Sequence, residues 1–217
     1  VIHNEGGASK LRFVDAPTGK LSAQQALFSD LPKGVIQKIQ WHRNGADLVY
    51  DFEWALSPGE IDTIKLGQKG KVTWAGSDIG QLNLNQISIP FRWELTSVDG
   101  VKFDTWVYPP GSRINGKFEP KSSPRGIPVV ILFHGGPESQ FRPRFMGRYN
   151  YLMSEERIAL LCPNVRGSRG YGKRYLKADN GMARVRVILD VQRLRNAVSE
   201  KRYFDDDRIA VMGGSYG

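Results

Sequence analysis

One serine in this chain sits in a setting suited to nucleophilic chemistry. Gly213, Ser215 and Gly217 form a G-x-S-x-G pattern directly after the apolar run 209–212, IAVM. That run has the length of a buried strand. A serine raised on a sharp strand-to-helix turn occupies strained backbone. Glycines two residues before and after it let the turn close, and Oγ then projects from the carboxyl edge of a sheet. Such a hydroxyl can attack a carbonyl carbon. The pentapeptide alone is weak evidence, because a Gly-rich strand-to-loop turn has the same composition.

A second motif strengthens it. His134-Gly135-Gly136-Pro137 follows another apolar run, 129–133, VVILF. Acyl transfer builds negative charge on the carbonyl oxygen, and fixed backbone N–H groups must point at it; removing one such donor typically costs ~3 kcal/mol. Gly136 and Tyr216 are the candidate oxyanion-hole donors, with Gly135 as a neighbour that lets substrate approach closely. His134 precedes the serine, whereas in nucleophile-elbow enzymes the acid and histidine follow it. His134 is therefore read as a brace for its loop. The plain-turn reading of HGGP stays open at this level.

Other features exclude chemistry. The Gly-rich stretch 164–172, NVRGSRGYG, fits neither G-x-x-x-x-G-K-[ST] nor G-x-G-x-x-G, so nucleotide binding is rejected. Asp205-Asp206-Asp207 reads as a solvated turn. The single cysteine, Cys162, lies in the apolar run 158–162 and reads as a buried structural thiol. One cysteine excludes an internal disulfide and fits a reducing compartment. Three histidines and one cysteine without ligand spacing argue against a metal site, and no cofactor is expected. The net charge of +9 is spread through glycines, apolar residues and acids. It forms no dense basic tract, so nucleic acid is not an expected partner. No apolar run approaches the ~18 residues of a membrane span.

These motifs need elements to position them. Residues 1 to about 88 show strands and turns: 11–15 and 20–22 around Ala16-Pro17-Thr18-Gly19, then 36–41, 48–54, 61–66 and 71–74. The turns Pro17-Thr18-Gly19-Lys20 and Gln68-Lys69-Gly70-Lys71 echo each other in two similar hairpins. A four-stranded unit recurring at ~40–50 residues marks a propeller blade, so this part is expected to hold about one and a half blades. A free-standing antiparallel sheet is the alternative. Strands 87–95 and 101–108 follow, joined by a turn at Asp99-Gly100. Proline-rich 109–128 is predicted to be a loop. Beyond it the period changes. Runs 129–133, 158–162 and 209–212 are predicted strands buried on both faces. Helices are predicted at 148–156 and 182–200, the latter with Val185, Ile188, Val191, Leu194 and Val198 on one face. Strand–helix alternation predicts a parallel, helix-flanked sheet.

HGGP, NVRGSRGYG and GGSYG, in this order after blade-like hairpins, resemble the prolyl oligopeptidase family of serine peptidases, and the acylaminoacyl-peptidase-like branch in particular. The resemblance covers 87–217 strongly and 1–86 weakly. It implies the C-terminal blades of a β-propeller over 1–86 and, over 87–217, the N-terminal half of an α/β-hydrolase catalytic domain. It implies Ser215 as nucleophile, oxyanion N–H groups from Tyr216 and Gly136, and short peptides as substrates that a propeller admits by size. A homo-oligomer is left open, with no membrane partner expected. Relatives usually carry an acidic pair after Asn180-Gly181, where this chain has Val185 and Arg186, while Asp190 keeps its place.

The chain starts without Met and stops two residues past Ser215, and is expected to be a piece of a longer enzyme whose triad aspartate and histidine lie downstream. Two further readings are carried: an esterase with the same machinery, and a non-catalytic truncated piece. By itself the 217-residue chain is expected to be inactive and, with an exposed sheet edge, poorly soluble.

Overall fold

The computed structural model describes residues 1–22, 31–114, 117–121 and 123–217. It divides into two compact units: Val1–Leu82 with Arg142–Gly147, and Asn83–Phe141 with Arg148–Gly217.

The first unit is all-β. Strands β1 (Ile2–Glu5) and β2 (Ala8–Leu11) form an antiparallel hairpin. A second sheet holds β3 (Gly34–Val35), β4 (Ile39–Trp41), β5 (Asp47–Trp54), β6 (Ser57–Lys65) and β7 (Lys71–Gly76), with β3 and β4 both paired to β5 and the order then running β5-β6-β7. Strand β5 alternates as a half-buried strand should: Leu48, Tyr50 and Phe52 point inward. They pack with Leu11, Ile36 and Ile64 into one core. The Gln68-Lys69-Gly70-Lys71 turn joins β6 to β7, whereas Pro17-Thr18-Gly19-Lys20 closes only an isolated bridge, Val14↔Leu21. Of the strand predicted at 36–41, only Ile39–Trp41 forms, as β4; the short β3 precedes it. The segment around Arg142 belongs to this unit: its Nε donates to the Gly7 carbonyl at 2.6 Å and its Nη2 to Ser9 Oγ at 3.0 Å.

The second unit is built on a mixed sheet of order β14-β12-β13-β9-β8. Its strands are β8 (Phe91–Thr96), β9 (Lys102–Tyr108), β12 (Ile127–Phe133), β13 (Ala159–Asn164) and β14 (Phe204–Gly213). Strands β12, β13 and β14 run parallel, and β9 joins β13 antiparallel. Every residue of β13 is buried, because it has a partner on each side and cover on both faces. Leu95, Phe103, Val107, Val129, Ile131, Leu161 and Phe204 pack with Leu194, Ala197 and Val198 of helix α3 (Val187–Ser199).

Several expectations are corrected here. The proline-rich 109–128 is not all loop: β10 (Gly111–Ile114) and β11 (Lys117–Pro120) form a hairpin. Pro110 and Pro120 flank or end these short strands, where a missing N–H is tolerated. The helix expected at 148–156 shortens to a 3-10 turn and α1 (Asn150–Ser154). A further short helix, α2 (Lys173–Leu176), follows β13. The helix expected over 182–200 begins as a 3-10 segment, Gly181–Arg186, and only then becomes α3. Val185 and Ile188 are exposed, and the buried face is made by Asp190, Leu194, Ala197 and Val198. The winding changes at residue 186, which rotates the predicted stripe out of register. Strand β14 is not buried on both faces. Among the described residues it pairs only with β12, and Val211 and Met212 are exposed. Asp205-Asp206-Asp207 lies in β14 rather than in a turn, with Asp205 accepting from Arg208 Nε at 2.6 Å.

Candidate active site

Strand register brings the two motifs together. In the parallel pair β12·β14, Phe133 stands opposite Gly213. The loop starting at His134 and the turn starting at Gly214 therefore leave the same sheet edge side by side.

Ser215 has φ +59, in the left-handed region that L-residues avoid. That is the backbone of a strained elbow. The Gly217 N–H closes the turn on the Gly214 carbonyl at 3.1 Å. A Cβ at Gly217 would lie 2.5 Å from the Phe133 carbonyl oxygen, and one at Gly213 would collide with Gly217. Both glycines of the motif are thus needed for close approach. Gly135 faces the serine: a Cβ there would be 3.2 Å from Ser215 Cβ and 3.8 Å from its Oγ. The same direction at Gly136, φ +129, points back at the backbone nitrogens of Glu138 and Ser139. Tyr216 follows Ser215 on the elbow, and its hydroxyl donates to Asp179 Oδ2 at 2.9 Å.

His134 is turned away from chemistry. Its Nδ1 lies 3.0 Å from the Gly135 carbonyl and its Nε2 3.0 Å from Ser168 Oγ. A carbonyl only accepts, so Nδ1 carries the proton of the neutral ring; the Ser168 hydroxyl donates its one proton to the Val165 carbonyl at 2.6 Å, and its oxygen lies beside Nε2 without donating to it. The ring stands edge-on to Phe141. Burial pushes its pKa below the ordinary histidine value, against a smaller opposing effect of the Gly135 carbonyl. Both nitrogens face the loops they hold.

The loop after β13 provides that support. Asn164 side-chain atoms bond both backbone groups of Phe141, accepting from its N–H at 2.7 Å and donating to its carbonyl at 3.0 Å. Arg166 is buried in a cage of acids: Nε and Nη2 reach Asp190 at 3.0 and 2.6 Å, and Nη1 and Nη2 reach Asp99 at 2.7 and 2.9 Å. These contacts tie the β8–β9 turn, the Gly-rich loop and α3 into one frame. Sequence inspection sees Asp190 as an ordinary helix position and Asp99 as a turn residue, and it gives no sign of Asp179 or Ser168. Their partners are tens of residues away. Cys162 is fully buried, and burial raises its thiol pKa well above the usual range, as expected of an inert core thiol. No cluster of three or more potential metal ligands occurs among the described residues.

A sequence model of the prolyl oligopeptidase family matches residues 143–217. Over those residues the chain is similar to that family. It is 29% identical over 161 residues to an uncharacterized peptidase of Bacillus subtilis, YuxL, and 34% identical over 101 residues to the acylamino-acid-releasing enzyme of Sus scrofa. Those alignments take in 74% and 46% of this chain. The chain spans only 23% and 14% of these two relatives. The structure superposes on a puromycin-hydrolyzing peptidase from Mycobacterium tuberculosis with a TM-score of 0.77 at 20% identity, over 100% of this chain and 32% of that one. That likeness establishes the fold. The matched segment is thus similar to serine peptidases of the prolyl oligopeptidase family.

Proposed function

We propose that the protein carrying this chain is a serine peptidase of the prolyl oligopeptidase type that cleaves short peptides through an acyl-enzyme on Ser215. The supporting observation is the left-handed Ser215 at the end of β14, set against the Gly135-Gly136 loop at the end of β12. Ser215 Oγ attacks the scissile carbonyl. Charge moves to the carbonyl oxygen, and the backbone N–H groups of Tyr216 and Gly136 stabilise it. Collapse of the tetrahedral species expels the amine and leaves the acyl-serine, which water then hydrolyses. The Ser215 proton needs a base. The His134 nitrogens face the Gly135 carbonyl and Ser168, so the base and its supporting acid are assigned to residues outside 1–217. The second unit is the proposed first half of an α/β-hydrolase domain. The strands of the first are proposed blades of a propeller that restricts entry to peptides.

Ser215→Ala in the complete natural protein is the direct test. Loss of fluorophosphonate labelling together with a fall of at least ~10⁴-fold in peptide hydrolysis supports the assignment. Retained labelling or turnover would falsify it.

A further inference from the structure

Asp179 is among the most deeply buried acids of the second unit, at 2% exposure, and it forms no ion pair among the described residues. One carboxylate oxygen accepts from the Tyr216 hydroxyl at 2.9 Å. The other has no hydrogen-bond partner among the described residues. Leaving a buried oxygen unmatched costs free energy. The surrounding backbone nevertheless makes room for this side chain: Gly167, φ +96, lies so close that a Cβ there would run into the Asp179 carboxyl group. The guanidinium of Arg184 lies 5.4 Å from the centre of the Tyr216 ring. Tyr216 is thus held at its tip by Asp179 and on its face by Arg184. Burial and the adjacent carboxylate both raise the phenol pKa, which keeps it a hydrogen-bond donor.

We infer that Asp179 is a positioning residue for the oxyanion hole, fixing the Tyr216 peptide N–H by clamping the Tyr216 side chain. This rests on the acyl-enzyme assignment to Ser215. The elbow is strained at Ser215, so the peptide that follows it will rotate to relieve that strain unless something holds residue 216. A backbone donor stabilises an oxyanion only while it stays in line with the position that charge will occupy. The chain turns sharply at 214–217, and the only long side chain within it is that of Tyr216. The clamp therefore acts on the transition state more than on bound substrate. Truncating it is expected to lower kcat and leave KM nearly unchanged.

The test uses the complete natural protein. Reactive serine is counted by fluorophosphonate titration, and kcat per titrated site is measured on a peptide p-nitroanilide. Asp179→Ala is expected to lower kcat per site ~10-fold with KM within ~2-fold. Tyr216→Phe, which keeps ring and backbone N–H and removes only the donor, is expected to show the same loss. The double variant is expected to be no worse than either single one, because both break one contact. Asp179→Asn, which retains an acceptor oxygen, is expected to recover most of the activity. A purely structural role would instead lower the number of titratable sites and leave kcat per site intact; that result, or additive losses in the double variant, overturns the inference. If Asp179→Ala does not fold, Tyr216→Phe and Asp179→Asn decide alone. Failure of the wild-type protein to label at Ser215 overturns the acyl-enzyme assignment, and the oxyanion role with it.

Discussion

Arg166 and Asp190 form a buried ion pair, 2% and 0% exposed, with Nη2 2.6 Å and Nε 3.0 Å from the two carboxylate oxygens. The Arg166 backbone N–H also donates to Asp190, at 2.9 Å. One carboxylate therefore fixes both the side chain and the main chain of the loop behind the candidate active site. Removing Asp190 takes away the acceptor of both Arg166 Nε and the Arg166 backbone N–H and leaves the buried guanidinium with Asp99 as its remaining acid. Asp190→Ala is expected to destabilise the second unit by about 3–5 kcal/mol. Denaturant unfolding of the complete protein, followed through this unit, measures it. A loss below about 1 kcal/mol would show that the pair is not the hub of that frame.

Asp99 is the outer partner of Arg166 and is expected to give a pH signature. Its hydrogen bonds with Arg166 hold the carboxyl pKa down at about 2, from 3.8. A carboxyl depressed in the folded state contributes stability that is complete above its unfolded pKa and is lost as pH falls through the folded value. The stability difference between wild type and Asp99→Asn is expected to be constant near neutrality. It should shrink below about pH 4 and vanish near pH 2. A difference that stays constant through that window would contradict the assignment of the shift to Arg166.

His134 is expected to titrate below the ordinary histidine value of 6.5, because burial opposes its charged form. A depressed folded-state histidine stabilises the fold above the unfolded pKa. That contribution falls away as pH drops through the folded value. NMR of the imidazole nitrogens is expected to report a neutral ring at pH 7 with the proton on Nδ1. His134→Ala is expected to loosen the Gly135-Gly136 loop and lower acylation of Ser215. The Ser168 hydroxyl donates to the Val165 carbonyl, 2.6 Å away; an Nε2–H tautomer would make the Ser168 oxygen the ring's acceptor and overturn the Nδ1 assignment.

The elbow makes stability and chemistry separable. Glycine accepts φ near +59 freely, whereas alanine does not. Ser215→Gly is expected to be more stable than Ser215→Ala by up to about 1 kcal/mol, with both inactive. Thermal unfolding of the two variants compares them. Gly217→Ala is expected to be worse than either, since its Cβ would press to 2.5 Å on the Phe133 carbonyl oxygen, a backbone atom that cannot swing aside. Equal stability of Ser215→Gly and Ser215→Ala would mean that no strain is stored at this residue.

The sequence by itself determined the local features of this protein. Left-handed backbone at Ser215 and close packing at Gly213 and Gly217 follow from a five-residue pattern, because sterics within a turn are short-range. The strand at 48–54, and buried Cys162 in β13, were legible for the same reason: strand-length apolar runs between turn residues need no knowledge of the partner. Tertiary structure decided what depends on neighbours. The apolar stripe through Val185 and Ile188 looked like a core face, yet the helix turned at residue 186 and buried Asp190 instead, because Arg166 waited there. Strand β14 is as apolar as β12 at its end, yet among the described residues it pairs with β12 alone, and Val211 and Met212 are exposed. Asp179 and Tyr216 are 37 residues apart, and only the parallel sheet and its loops bring them together.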